Sequence, residues 1–211
     1  MTIANDARFW DRLSRRYAKS PISDQAGYER TLERTRALLK PQDRVLELGC
    51  GTGTTALRLA GNVESYLATD ISAGMIAIAA EKLAAAPAPK LAFRTTTAEA
   101  LASEEARFDA VLGFNYLHMV RDLAGTLRSI HALLAPGGLF ISKTPCLGDM
   151  NPLIRLAVPV MRAIGKAPHV GVFRVQELSD LIAAAGFDIL GTEHHASRGK
   201  DRRPFIVARK R

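Results

Sequence analysis

The chain has 211 residues, of which 47% are apolar and 24% charged, a balance that suits one globular domain rather than a disordered segment. Two cysteines, Cys50 and Cys146, are too few for a disulfide framework, and no run of about 18 uncharged apolar residues could span a membrane. With no apolar signal-peptide core near Met1, the expected compartment is cytoplasmic. The net charge of +8 is compatible with nucleic acid, anionic lipid or an acidic substrate as partner. Much of it sits in Arg198, Lys200, Arg202, Arg203, Arg209, Lys210 and Arg211, which reads first as a solvated basic end.

Two helices are predicted at the start, Arg8–Lys19 and Tyr28–Leu39, separated by Pro21 and closed by Pro41. Strands and helices then alternate. Strands are expected at Arg44–Gly49, Ser65–Asp70, Lys90–Thr95, Phe108–Phe114 and Gly138–Thr144. Between them lie helical runs at Thr54–Ala60, Ala73–Ala85, Glu99–Ser103 and Asp122–Leu134. The stretch 85–89 reads as a loop, and Pro136-Gly137-Gly138 as a tight turn between helix and strand. A helix at Val175–Ala185 ends at Gly186, and Phe187–Glu193 and Pro204–Arg209 then suit an antiparallel pair at the sheet edge. This order argues for an α/β, doubly wound, mostly parallel sheet with right-handed crossovers. One domain is expected: a helical cap at 1–40, a binding core at 41–146, an insertion at 147–173, and a last helix with the strand pair at 174–211.

The stretch Val45-Leu46-Glu47-Leu48-Gly49-Cys50-Gly51-Thr52-Gly53 is a buried-strand pattern that stops at alternating glycines before a helix. Glycines there permit positive φ and let a ligand approach the backbone and the helix N–H groups, as nucleotides do. Dinucleotides and adenosyl nucleosides both use such a loop. In the dinucleotide fingerprint the third glycine follows the second by three positions. Here position 54 is threonine, and the third glycine is Gly53. Asp70 ends the second strand 21 residues after Gly49, where a carboxylate accepts hydrogen bonds from ribose hydroxyls in either class.

Glu47-Leu48-Gly49-Cys50-Gly51-Thr52-Gly53, followed by Asp70-Ile71-Ser72 and Met75, resembles the class I S-adenosylmethionine-dependent methyltransferases. The resemblance continues in Phe108-Asp109-Ala110-Val111, Leu133 to Gly138, Leu178 and Gly186-Phe187, over roughly residues 40–195. It is closest to the small-molecule branch that includes ubiquinone and menaquinone biosynthesis methyltransferases. The resemblance implies a Rossmann-like, seven-stranded sheet with an antiparallel last strand, and S-adenosylmethionine as cofactor. It places Gly49, Cys50, Gly51 and Gly53 in the loop under the methionine part, and Glu47 where an acid orients that loop and the cofactor's amino group. It assigns Asp70 to the ribose, Ile71 and Met75 to the adenine faces, and Thr97, Ala98 and Glu99 to the adenine edge. Phe114 and Asn115 fall nearest the methyl group, and Tyr17 resembles a tyrosine that caps the cofactor carboxylate. Plainer roles stay open: Asp70 could cap the helix near Ser72, Met75 could be core, and Tyr17 and Tyr28 could only pin the N-terminal helices. Nothing around Cys50 suggests an activated thiol.

A sulfonium methyl is already electrophilic, so alignment and exclusion of water supply most of the acceleration, and a general base is needed only where the acceptor must lose a proton. His118 is the candidate base, with an orienting or packing role as its alternative; Asp149 and His169 follow. His194 and His195 are expected on a strand, pointing to opposite faces, so they do not form one metal site, and no metal is expected. The segment from Pro152 to Lys166 is apolar except for Arg155, Arg162 and Lys166, which share one stripe at about 100° per residue. With Pro159 as a kink, it reads as a packed insertion, a lid over a lipophilic acceptor, or a peripheral membrane contact.

These patterns favour methyl transfer to a small, apolar or lipid-like acceptor. A nucleic-acid methyltransferase is the rival enzyme, but Asn115-Tyr116-Leu117-His118 lacks the prolines of the amino-group-modifying motif and no RNA-binding module is evident. A nicotinamide oxidoreductase is disfavoured by Thr54 and by the lack of a Tyr-x-x-x-Lys pair. A non-catalytic S-adenosylmethionine-binding protein is the third reading. Oligomeric state has no signature in the sequence.

Overall fold

The computed structural model describes residues 2–150, 169–199 and 201–211. The segment from Pro152 to Lys166 therefore lies outside the described residues. Helices α1 (Ile3–Ala18) and α2 (Gln25–Leu38) precede β1 (Arg44–Leu48). Then follow α3 (Thr54–Leu59), β2 (Ser65–Asp70), α4 (Ala73–Ala85), β3 (Leu91–Thr95), α5 (Ala98–Ala102) and β4 (Phe108–Phe114). The chain continues through α6 (Leu123–Leu133), β5 (Leu134–Lys143), α7 (Val175–Ala184), β6 (Phe187–Glu193) and β7 (Phe205–Lys210).

The seven strands lie in the order β3-β2-β1-β4-β5-β7-β6. The first five are parallel, and β7 runs antiparallel to both β5 and β6. The expected doubly wound sheet with an antiparallel edge pair is therefore the observed one. Its order reverses between β1 and β4, and the crevice beyond the carboxyl ends of those strands is where such sheets hold ligands.

Period-two alternation divides the core between the two faces. Leu46, Leu48, Val111, Phe140, Ile206 and Ala208 face α5, α6 and α7, packing on Leu101, Leu127, Ile130, Leu178 and Ile182. Val45, Ala68, Ala110, Leu112, Ile141, Phe205 and Val207 face the other way, against Leu32 of α2 and Ala56 and Leu59 of α3. Both faces are covered, which is why these strands read as continuous apolar runs.

Three expectations are corrected. The first helix begins at Ile3, because Thr2 accepts the opening backbone bonds from Asn5 and Asp6. Pro136-Gly137-Gly138 is not a turn ahead of the fifth strand but a bulge inside it. Leu134 already pairs with Phe108, and the ladder resumes at Ala110 with Leu139, the extra residues accommodated by Gly137 at φ +72°. His194 and His195 lie in the loop after β6 rather than on a strand. His194 is exposed there, while the buried His195 ring bonds Thr31 Oγ1 (3.0 Å) and Glu193 Oε2 (3.2 Å).

Phe140 is fully buried at the centre of β5 and packs against Phe187 at 5.7 Å between ring centroids. Phe140→Ala is expected to cost about 3–5 kcal/mol in urea-induced unfolding, a large-to-small change that the close-packed sheet cannot fill.

Candidate active site

The loop after β1 is built on three left-handed glycines, Gly49 (φ +69°), Gly51 (φ +54°) and Gly53 (φ +74°). Two also need their missing side chain: a Cβ at Gly49 would stand 2.7 Å from the Tyr116 ring, and one at Gly53 2.6 Å from Phe93. Cys50 N–H donates to Thr69 O (2.9 Å), which extends the β1–β2 pairing into the loop. From outside, Lys82 Nζ donates to Thr52 O, Thr52 Oγ1 and Thr54 Oγ1, each at 3.0 Å.

Asp70 ties this loop to the next element. Its Oδ2 accepts from Gly51 N (3.0 Å), and its Oδ1 accepts from Ser72 N (2.9 Å). The cap of α4 is Ser72, whose hydroxyl accepts from Met75 N (3.1 Å), so Asp70 does not play that part. Burial raises the Asp70 pKa against the opposing pull of its backbone donors at Ser72 and Gly51.

Glu47 is almost fully buried and accepts the Tyr66 hydroxyl at 2.7 Å. Burial lifts its carboxyl to about 7, although the Tyr66 bond acts the other way. The Cys50 thiol is raised strongly by burial and is inert, as its surroundings suggest.

One cavity of about 1000 Å³ runs along the carboxyl ends of the strands. It brings together every residue predicted for the cofactor except Gly53: Tyr17, Glu47, Gly49, Cys50, Gly51, Asp70, Ile71, Met75, Thr97, Ala98, Glu99, Phe114 and Asn115. Gly53 shapes the loop from beneath and caps α3. Tyr17 lies over the loop beside Gly51 and is buttressed edge-on by Trp10. Met75 is buried and still lines the cavity. The Thr97 and Glu99 side chains have structural partners: Thr97 Oγ1 accepts from Ala100 N (3.2 Å) as the cap of α5, and Glu99 accepts from Thr126 Oγ1 (2.6 Å). Asn115 is the one non-glycine residue with positive φ (52°) among the described residues, and its N–H donates to Lys143 O (2.7 Å).

His118 also lines the cavity. Its Nδ1 is buried without a hydrogen-bond partner, and burial lowers its pKa to about 4, so the ring is neutral at pH 7. The other two candidate bases are not in the cavity. Asp149 accepts Val175 N (2.8 Å) at the start of α7, and the His169 backbone N–H donates to Asp6 Oδ1 (3.2 Å). Sequence reasoning passed over Tyr116, Lys143, Arg121 and Arg203, all of which line the cavity. For Tyr116 the missing side chain at Gly49 is the trace that could have found it. No group of three or more possible metal ligands occurs among the described residues.

Glu47 sets a pH dependence with a definite sign. Its folded pKa of about 7 stands above the ordinary 4.5, so the stability it confers is full below that ordinary value and is lost as pH rises through the folded one. Wild-type stability in urea titrations is expected to fall between those limits by roughly 3 kcal/mol relative to Glu47→Gln. Parallel pH profiles for the two proteins would refute this account of Glu47.

A methyltransferase-domain family profile matches residues 15–192. A ubiquinone biosynthesis O-methyltransferase of Ruegeria pomeroyi is 33% identical over 152 residues, 69% of this chain and 60% of that protein. A hybrid PKS-NRPS synthetase of Macrophomina phaseolina, mpsA, is 36% identical over 180 residues, which are 79% of this chain but only 4% of the synthetase. The chain thus spans less than two thirds of the curated relatives it matches. Magnesium protoporphyrin IX methyltransferase of Synechocystis PCC 6803, solved with bound SAH, superposes with a TM-score of 0.71 at 19% identity, covering 98% of this chain and 95% of that one. With the family profile spanning most of the chain and the strand order reversing at the glycine loop, the chain belongs to the class I S-adenosylmethionine-dependent methyltransferases.

Proposed function

We propose that this protein transfers a methyl group from S-adenosylmethionine to a small, largely apolar acceptor by in-line displacement. The observation that carries the reading is a continuous cavity that joins the glycine loop, Asp70 and Met75 to the ends of β4 and β5. The residues present fit the cofactor. Asp70 suits a ribose diol, and Glu47, with its carboxyl raised to about 7, gives up its proton to meet a bound ammonium or sulfonium. Ile71 and Met75 offer apolar faces to a base, and the side-chain-free loop leaves its backbone open to close approach. When bound, the cofactor supplies the electrophilic methyl group.

The chain's own residues have the remaining work of alignment and exclusion of water. Phe114 and Asn115 stand at the end of β4, where the acceptor would meet the methyl group. Neutral His118 lines the same wall with its Nδ1 turned into the protein, so it shapes the acceptor end without acting as a strong base. The walls contributed by Ile22, Tyr28, Leu32 and Phe114 favour an apolar molecule. A relative named for O-methylation in ubiquinone biosynthesis supports an acceptor of small-molecule size. The apolar segment at 152–166, with its basic stripe, adds as a proposal from sequence a lid over the acceptor, a membrane contact or a packed insertion.

Calorimetric titration is expected to show binding of S-adenosylmethionine and S-adenosylhomocysteine but not NAD. Asp70→Ala should weaken both by about tenfold or more, the loss of charge-assisted bonds to the ribose. Turnover of a panel of quinols, phenols and lipids then separates an enzyme from a protein that only binds the cofactor. Binding without turnover of any acceptor would favour the second, and equal affinity in Asp70→Ala would refute the assigned ribose role.

A further inference from the structure

Charge is segregated along the cavity. Glu47, Asp70 and Glu99 lie at the donor end, while Lys143, the last residue of β5, and Arg203 in the loop before β7 bring basic groups to the other end, where Asp24 also lines the wall. The remaining basic residue of the lining, Arg121, is held in an ion pair by Asp6 at 2.7 Å. Lys143 and Phe114 pair in register on adjacent parallel strands, so their side chains stand side by side on the face toward α2. The Lys143 side chain therefore leaves the sheet beside the point where an acceptor would meet the methyl group, and its ammonium reaches Thr31 of α2 along the cavity wall.

The ammonium is short of partners. Nζ donates to Thr31 Oγ1 at 2.8 Å, its one hydrogen bond among the described residues, and two donors remain. Thr31 cannot supply more: its hydroxyl donates to Gly27 O (2.8 Å), and its lone pairs face Lys143 and His195 Nδ1 (3.0 Å). The nearby carboxylates are occupied. Asp201 accepts backbone N–H groups from His195, Ala196 and Arg203, and Asp24 accepts from Gly27 and twice from Ser197. Burial pushes the Lys143 pKa down, against the raising influence of Asp201 and Asp24. A half-buried cation with unused donors gains most from an anion placed against it. Arg203, whose Nε is 3.9 Å from Asp201, is held by its own carboxylate only at long range.

We infer that Lys143, with Arg203, forms an anion-binding subsite at the acceptor end, so that the molecule methylated carries an anionic oxygen on an apolar body. This rests on the methyltransferase reading and names the acceptor's chemical class. A carboxylate or an ionised phenol or enol presents the required group. An ionised oxygen held there needs no strong base, which agrees with the depressed basicity of His118.

The test is calorimetry on the protein saturated with S-adenosylhomocysteine. The probes are 4-alkylbenzoates against their methyl esters, and nitrophenols, ionised at the working pH, against their methyl ethers. The wild type is expected to prefer the anion in one pair or both by about tenfold or more, and the responding pair identifies the acceptor class. Lys143→Met should abolish that preference, Lys143→Arg should retain it, and Arg203→Gln should reduce it. S-adenosylhomocysteine affinity should stay within about twofold in each variant, and it reports folding besides. Equal affinity for anion and neutral partner in the wild type, including binding of neither, overturns the subsite. So does a preference that survives both Lys143→Met and Arg203→Gln. Failure of the wild type to bind S-adenosylhomocysteine would overturn the underlying reading, and the subsite with it.

Discussion

The two hydrogen bonds of the Asp70 carboxylate organise the site. One oxygen holds Gly51 in the loop after β1, and the other holds Ser72 at the head of α4. Both elements must be fixed relative to one another for a ligand to lie across the strand ends, and a buried carboxylate with two backbone donors does this without a metal or a disulfide. The chain of contacts runs further. Asp11 of α1 accepts from Ser72 Oγ (2.6 Å) and Gly74 N (2.9 Å), so the N-terminal helix is docked on the same turn. Ligand contact at Asp70 is one residue pair away from the helix that carries Trp10 and Tyr17.

That helix is attached in an unusual way. Its two fully buried residues are Asp6 and Ser14, and it is tied down by Asp6 to Arg121, Asp11 to α4, and the exposed Arg15–Glu81 pair. Exposed ion pairs contribute little, so the attachment rests on Asp6 and Asp11. The apolar residues Phe9, Trp10 and Leu13 of α1 are only half-buried. This contrasts with α2, whose Leu32 is part of the core and whose Thr31 and Arg30 bond to residues of the β6–β7 loop. The cavity is therefore roofed by one helix anchored through buried polar groups on α4 and Arg121 and one anchored in the apolar core.

Most of this was legible before any coordinates. Glycine spacing, the acid at the end of β2 and the strand–helix alternation are local patterns set by backbone geometry, and the residues they single out for the cofactor, Gly53 apart, line one cavity. The failures are of another kind. Pro136-Gly137 looks like a turn by composition, but strand pairing across five residues of β5 absorbs it as a bulge. Lys143 and Arg203 have no local motif. They matter because β5 and the loop before β7 converge on α2, a juxtaposition that spans much of the chain. His118 was visible as a candidate, but the depression of its pKa depends on burial by several elements and has no sequence signature. Asp149 and His169 stand outside that lining for the converse reason: side chains suited to catalysis carry no information about which cavity they enter.

The position of β7 has a consequence for how the domain is made. It is last among the strands in chain order, yet it lies inside the sheet, between β5 and β6. A growing chain can assemble β1 to β5 early, because each strand after β1 finds a neighbour already synthesised. β6 has no such neighbour, since the strand it pairs with is Phe205 to Lys210. During synthesis the apolar residues Phe187 and Ile189 of β6 and the free edge of β5 must stay exposed together until the last strand arrives. That interval, rather than any step in forming the cofactor loop, is when the nascent protein is most open to pairing with the wrong partner.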